Sequence, residues 1–236
     1  MKLLLIRHGQ TEWTAAKRFQ GKSDIPLNQG GFREAGEIAE ALEKYRPTRL
    51  YTSALQRAKE TAAQIAEKLK LRPATDPRLN EIDFGRWEGS SYNDLSRAAS
   101  LEFQKWCEGK LSKPPGGESI ASLSRRVGKF LKETLANHSE ETVALVSHGG
   151  TIKMFFHKVL KSERSSIWSF RIDPGSISLI EGDSSLLQIA WTNSTGHLTP
   201  SLRGGLKARR SNLKTQRLLR PLRGSAALKD LSAASQ

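Results

Sequence analysis

Two short motifs in this sequence place a histidine directly after an apolar segment and directly before glycine. Arg7-His8-Gly9 follows residues 3–6, and Ser147-His148-Gly149-Gly150 follows residues 143–146. Arg57 adds a second arginine after another short apolar segment. The planar, forked guanidinium of arginine matches the oxygens of phosphate better than the point charge of lysine does. Two arginines and two histidines, if they converge, would form a site for an oxyanion such as phosphate.

The elements around these motifs explain how they could converge. Short apolar runs bounded by glycine read as buried strands, and segments with helical periodicity separate them. Alternating strands and helices favour right-handed crossovers and a mostly parallel sheet, whose ligands bind at the carboxyl ends of the strands. We therefore predict a three-layer α/β/α sandwich with a mostly parallel central sheet. Ser53 with Gln56 has the pattern of a capping box, which places Arg57 in the first turn of a helix.

The composition limits the class of protein. The chain has 236 residues, of which 37% are hydrophobic and 26% charged, and we predict one catalytic domain over residues 1–200. No apolar run approaches the roughly 20 residues that a membrane helix requires. Cys107 is the single cysteine, so an internal disulfide is excluded, and no cluster has the spacing of a zinc site. We expect a cytoplasmic protein.

The formal net charge of +14 is unevenly distributed along the chain. Residues 201–236 contain nine lysines and arginines and one acid, Asp230. This segment has few large apolar residues, so we predict a disordered basic tail that could contact anionic partners weakly. The preceding 200 residues are only modestly basic.

Five ordered pieces of the sequence together resemble the histidine phosphatase superfamily, in the branch that contains cofactor-dependent phosphoglycerate mutase and small-molecule phosphatases. The pieces cover most of residues 1–195. They are Arg7-His8-Gly9-Gln10-Thr11, residues 53–58, the loop of Glu81 with Trp87-Glu88-Gly89, residues 115–119, and Ser147-His148-Gly149-Gly150.

The resemblance implies a role for each site residue. His8 would be the nucleophile that forms a phosphohistidine, and Arg7, Arg57 and a protonated His148 would bind the equatorial phosphoryl oxygens. Glu81 would protonate the leaving alkoxide and then deprotonate water. The predicted phosphate site also includes Gln10, Thr11, Thr14 and Gly149. Arginines would take the place of a metal, and we expect no metal and no cofactor.

Several of these residues have alternative interpretations. Asp83 and Glu88 lie close enough to Glu81 in the sequence to compete for the acid–base role. Thr14 stands where many relatives carry an asparagine that contacts phosphate, and its hydroxyl has a shorter reach. Arg125 and Arg126 read as residues of a solvated helix face.

The reaction is predicted from the same resemblance. The segment between the Glu81 loop and residues 115–119 is shorter than in mutase relatives, which favours a site open to water and hence a phosphatase. Residues 83–89 and 170–177 are similar to those of alpha-ribazole phosphatases, which act in cobalamin biosynthesis. A phosphoglycerate mutase and a broad-specificity or fructose-2,6-bisphosphatase-like phosphatase remain as alternatives. The expected partner is a small phosphomonoester, and a homodimer is one assembly that the sequence allows.

Overall fold

The computed structural model describes residues 1–98, 100–162 and 164–199. The basic tail predicted over 201–236 and the predicted domain end at residue 200 lie outside the described residues.

Six strands form one sheet in the order β3-β2-β4-β1-β5-β6. The strands β1 to β4 are parallel, whereas β5 runs antiparallel to β1 and β6 antiparallel to β5. The strands are β1 Lys2–Arg7, β2 Arg49–Thr52, β3 Pro73–Thr75, β4 Thr142–Ser147, β5 Ile177–Gly182 and β6 Leu187–Ser194. The mostly parallel sheet predicted from the sequence is confirmed.

Helices cover both faces of this sheet. Their bounds are α1 Glu12–Ala15, α2 Gln29–Leu42, α3 Gln56–Leu69, α4 Tyr92–Ala98, α5 Ser100–Cys107, α6 Ile120–Asn137 and α7 Gly149–Leu160. Short 3-10 helices lie at 43–45, 77–79, 85–87 and 164–169. Within the described ranges, no helix is long and apolar enough to cross a membrane.

The two central strands separate two hydrophobic cores. Successive side chains of a strand point to opposite faces, so an entirely apolar strand can contribute to both cores. Leu3 and Leu5 of β1 pack with α6 and α7 residues, whereas Leu4 and Ile6 pack with α2 and α3 residues. All four are fully buried, which explains why residues 3–6 form an uninterrupted apolar run and confirms the three-layer arrangement.

Helix α3 begins later than the sequence predicted. Its N-cap is Leu55, which makes no side-chain capping bond, so the capping box predicted from Ser53 and Gln56 is wrong. Ser53 instead directly follows β2, and its backbone N–H donates to the carbonyl of Val146 at 3.0 Å. Its hydroxyl is thereby available to the site at the carboxyl ends of the strands.

Candidate active site

The parallel pairing of β1 and β4 brings the two histidine motifs together. Arg7 pairs with Ser147 in the register of the two strands, so the residues that follow them are neighbours. The ring centroids of His8 and His148 are 5.0 Å apart. The convergence predicted from the two motifs therefore takes place at the expected edge of the sheet.

His8 has the tautomer that a nucleophile requires. Its ring is almost completely buried, and its Nδ1 lies 2.8 Å from the carbonyl oxygen of Gly9. A carbonyl can only accept, so Nδ1 carries the proton and Nε2 carries the lone pair. Burial lowers the pKa of His8 well below its usual value, and the charges of Arg57 and Arg7 lower it further. The imidazole is therefore neutral and can attack an electrophile through Nε2.

His148 is fully buried and is held between Arg57 and Ser53. Its Nδ1 accepts from Arg57 Nε at 3.2 Å, and its Nε2 lies 2.7 Å from the Ser53 hydroxyl oxygen. Because an arginine N–H can only donate, this His148 tautomer carries its proton on Nε2. Burial, followed by the charge of Arg57, lowers its pKa well below the usual value. The structure thus contains a neutral His148, rather than the protonated form that the sequence argument assigns to phosphate binding.

Ser53 links His148 to the segment that precedes Glu81. The Ser53 hydroxyl donates to Oδ1 of Asn80 at 2.9 Å, and the same amide oxygen accepts from the backbone N–H of Ala54 at 2.8 Å. The backbone carbonyl of Asn80 accepts from the Thr151 hydroxyl at 2.7 Å. Asn80 therefore connects the segment after β2 to the start of α7. The first turn of α7 also binds Glu81, the candidate general acid.

Glu81 is held by the first turn of α7. Its Oε1 accepts from the backbone N–H groups of Ile82 at 3.0 Å and Thr151 at 3.1 Å, and its Oε2 accepts from Gly150 at 3.0 Å. An ideal Cβ on Gly150 would lie 2.6 Å from Oε1. Glu81 can therefore keep this position only if residue 150 is glycine. Oε1 accepts two backbone N–H bonds, whereas Oε2 accepts one. Oε2 is therefore the oxygen that can carry a proton towards a substrate.

The rival carboxylates have other partners. Asp83 forms an ion pair with Lys22 at 3.1 Å, and Glu88 accepts from the backbone of Lys22 and Ser23, both at 2.8 Å. Neither lines the cavity beside His8, whereas Glu81 does. The geometry favours Glu81 for the acid–base role.

The two arginines differ in how fully they are bonded. Arg57 is fully buried and donates to the carbonyls of Ser23 and Gly21, both at 2.8 Å, as well as to His148. Burial lowers the pKa of Arg57 to about 10. Arg7 donates from one terminal nitrogen to the Ile172 carbonyl at 2.6 Å, and its buried Nε makes no hydrogen bond to the described residues. That N–H is a donor that a phosphoryl oxygen could satisfy.

The remaining predicted phosphate ligands are placed unequally. Thr14 and Gly149 line the cavity beside Arg7 and His8. Thr11 is fully buried and forms a capping box with Thr14 for α1. The side-chain oxygen of Gln10 accepts from Asn28 at 3.0 Å, and neither Gln10 nor Thr11 lines the cavity.

A cavity of about 370 Å³ opens in front of His8. Its lining combines catalytic candidates, further cations and an aromatic wall. Among the described residues that line it, the cations are Arg7, Lys17, Arg18 and Lys153, the acid is Glu81, and the aromatic side chains are Phe19, Phe84, Tyr92, Phe103, Trp106 and Trp168. The buried Arg57 and His148 lie outside this lining. The arrangement can bind an anion at its base and an uncharged or apolar group along its wall.

Comparison with known proteins identifies the class. Residues 3–195 match the histidine phosphatase superfamily (branch 1). The chain is 34% identical over 199 residues to phosphoserine phosphatase 1 of Hydrogenobacter thermophilus, covering 84% of this chain and 94% of the relative. The chain belongs to the histidine phosphatase superfamily and is an enzyme of its phosphatase group.

Two further relatives have different substrates in their names. Adenosylcobalamin/alpha-ribazole phosphatase of Salmonella typhimurium is 30% identical over 182 residues, covering 77% of this chain and 90% of the relative. A crystal structure of a phosphoserine phosphatase variant from Entamoeba histolytica in complex with phosphoserine is 30% identical, with a TM-score of 0.77, covering 84% of this chain and 99% of that one. The family is thus established, and the substrate is a separate question.

Four residues at or around the site were missed by the sequence argument: Ser53, Asn80, Arg126 and Lys153. The helical pattern predicts a solvated Arg126, but this residue forms a two-pronged ion pair with Glu118 and donates to the carbonyls of Arg78 and Asn80 at 2.6 and 2.7 Å. Its neighbour Arg125 is exposed, as expected. The sequence signal was weak, since only the eight-residue spacing of Glu118 and Arg126 hints at the pair.

Proposed function

We propose that this enzyme is a metal-independent phosphomonoesterase that hydrolyses a small phosphorylated metabolite through a phosphohistidine on His8. The observation that carries the proposal is the His8 tautomer. Its Nδ1–H donates to the Gly9 carbonyl, so the lone pair is on Nε2. His8 and Arg7 line the same cavity. A neutral imidazole beside a cation that attracts phosphate is suited to nucleophilic attack on phosphorus.

The first half-reaction transfers the phosphoryl group to the enzyme. His8 Nε2 forms a bond to phosphorus while the bond from phosphorus to the alkoxide oxygen breaks. Glu81, in its protonated form, gives its proton to that oxygen through Oε2. Arg7 stabilises the charge on the equatorial oxygens, where it accumulates in the transition state, and Arg57 joins it when its Nε exchanges His148 for a phosphoryl oxygen.

The second half-reaction releases inorganic phosphate. Water attacks the phosphohistidine, Glu81 takes the proton from water, and the bond from phosphorus to Nε2 breaks. Glu81 is thereby returned to its protonated form and His8 to its neutral form. The positive charge that a metal supplies in many phosphoryl-transfer sites would come here from the two arginines.

Two substrate classes have support in the cavity. The aromatic wall suits the ring system of alpha-ribazole phosphate, the substrate favoured by the sequence resemblance and named in one group of relatives. The cations beyond Arg7 suit a phosphorylated carboxylic acid such as phosphoserine, which is named in another group. A phosphoglycerate mutase is the alternative reaction, in which a second substrate rather than water would accept the phosphoryl group.

A cytoplasmic location is part of the proposal, supported by the single cysteine of the chain. Fractionation of the source cells with an antibody to the protein would test it, and recovery from an extracytoplasmic fraction would contradict it.

The test of the reaction is turnover in the presence of a metal chelator. The substrates are alpha-ribazole phosphate, phosphoserine, fructose 2,6-bisphosphate, and 3-phosphoglycerate with and without 2,3-bisphosphoglycerate. Wild type should release phosphate and accumulate an acid-labile phosphoenzyme, and His8→Ala should do neither. His157→Ala, which removes a histidine of α7 that does not line the cavity, is the matched control. Phosphate release by His8→Ala, or exchange between phosphoglycerates without release, would refute the proposal.

A further inference from the structure

Lys153 is a cation of the cavity that the proposed reaction does not use. It lies on α7 four residues after Gly149 and lines the same cavity as His8. Its ammonium is 5.3 Å from the ring centroid of Trp168. Within the described ranges, it has neither an acidic side chain within ion-pair distance nor a hydrogen-bond acceptor.

Two other half-buried cations among the described residues are compensated by acids. Arg126 is paired with Glu118, and Arg78 is paired with Asp76 and Glu133. Among the described residues, the face of the Trp168 indole ring is the one partner of the Lys153 ammonium. Burial lowers the pKa of Lys153, the charge of Arg7 lowers it further, and Glu81 opposes the change. Contact with an anion therefore stabilises a half-buried ammonium by more free energy than it would stabilise an exposed one.

The position of Lys153 indicates which part of a substrate it would meet. Residues three or four apart lie on the same face of a helix, so Lys153 follows Gly149 and Gly150 along one side of α7. The N–H of Gly150 holds Glu81 Oε2, the oxygen proposed to protonate the leaving group. We therefore expect Lys153, which lines the same cavity as Glu81, to meet the portion of the substrate that leaves.

The wall next to Lys153 is apolar. Trp106 and Trp168 have ring centroids 5.4 Å apart and both line the cavity. A carbon chain of a few atoms could pack against these rings while an anionic end group reaches the ammonium.

We propose that Lys153 binds a second anionic group, a carboxylate or a second phosphate, on the leaving portion of the substrate. This inference rests on the proposed function, and it favours a phosphorylated carboxylic acid or a bisphosphate over alpha-ribazole phosphate. The shared chemistry is an anion a few bonds from the phosphoester oxygen.

Paired substrates that differ only in the second anion test the proposal. The carboxylate pair is 3-phosphoglycerate and glycerol 3-phosphate. The phosphate pair is glycerol 1,3-bisphosphate, whose two ester groups are equivalent, and glycerol 3-phosphate. Alpha-ribazole phosphate represents an aromatic leaving group without a second anion. Each is assayed with wild type, Lys153→Met, Lys153→Arg and the control Lys158→Met, which removes a lysine of the same helix that does not line the cavity.

We expect kcat/KM of wild type to be higher for the doubly anionic member of at least one pair. Lys153→Met should lower that preference roughly 10- to 100-fold, as expected for a lost hydrogen bond between charged groups, whereas Lys153→Arg and Lys158→Met should retain it. The pair that loses its preference identifies carboxylate or phosphate. Equal losses for both members of each pair, an unchanged preference, or a wild-type preference for alpha-ribazole phosphate would overturn the inference.

Phosphate release and ligand binding distinguish a failure of the proposed reaction from a failure of the inference about Lys153. If wild type releases no phosphate from any substrate, the proposed function has failed. Calorimetric binding of the same pairs to His8→Ala, with and without Lys153→Met, then still decides whether Lys153 recognises the second anion. If Lys153→Met leaves the binding preference intact, the inference has failed as well.

Discussion

Acidification should destabilise this protein through its two buried histidines. His8 and His148 are both almost completely buried, and both have pKa values lowered well below the usual 6.5. In the unfolded chain each would titrate near that usual value. Below it, the unfolded state binds protons that the folded state does not, so the free energy of unfolding falls as the pH falls.

The magnitude follows from the linkage relation. Between about pH 7.5 and about pH 5.5, an unfolded histidine gains nearly one proton while a buried one stays neutral, which costs about 1.4 kcal/mol of stability for each residue. The two histidines together should therefore remove about 2.7 kcal/mol over this range. The loss should level off only when the pH reaches the lowered pKa values of the folded protein.

Urea unfolding at both pH values measures this loss, and variants assign it. His8→Asn and His148→Asn each remove one titrating group, so each variant should lose about 1.4 kcal/mol less than wild type on acidification. The comparison cancels the contributions of all other groups that titrate in the same range. If wild type and both variants lose the same free energy, the two histidines are not held neutral in the folded state, and His8 does not keep the neutral tautomer inferred from its contact with Gly9.

Two further predictions concern the general acid and its support. Glu81→Gln should lower kcat/KM for an alkyl phosphomonoester roughly 10²- to 10⁴-fold. It should lower kcat/KM for p-nitrophenyl phosphate much less, because that leaving group needs no proton. Equal losses for the two substrates would contradict the role of Glu81 as the general acid. Arg126→Ala should lower the free energy of unfolding in urea by roughly 2–3 kcal/mol, somewhat below the ~3–5 kcal/mol for breaking a fully buried pair. The neighbouring Arg125→Ala should change the free energy of unfolding by less than about 0.5 kcal/mol. Similar effects of the two substitutions would show that the ion pair of Arg126 with Glu118 does not stabilise the fold.

The core of the site could be predicted because it depends on local patterns and on one rule of topology. Residues 3–6 and 143–146 are recognisable as strands from their apolar runs, and parallel pairing brings the residues that follow them together. The histidines and Arg7 need no further information to converge. Arg57 was placed correctly in the first turn of α3, although the reason given for where that helix begins was wrong.

The residues that were missed act through contacts that sequence spacing does not encode. Ser53 followed by Gln56 matches a capping box, but the hydroxyl of Ser53 is instead bonded to Asn80 and His148. Arg126 looks like any cation on an amphipathic helix until the loop carrying Asn80 is folded against it. In both cases a polar side chain has two possible partners, and only the tertiary fold decides between them.

Substrate binding and protonation of His148 should be coupled in this site. In the structure Nδ1 of His148 accepts from Arg57 and Nε2 is directed to Ser53, so a second proton can enter only if the contact with Arg57 is given up. A phosphate dianion between Arg7 and Arg57 would attract the arginine towards itself and would favour the charged imidazole. His148 can then donate from Nδ1 to a phosphoryl oxygen while Ser53 and Asn80 hold the opposite side of the ring. The hydrogen bonds from His148 to Ser53 and from Ser53 to Asn80 thus fix the orientation of the ring in both protonation states. The presence or absence of the bound anion then determines whether the ring is charged.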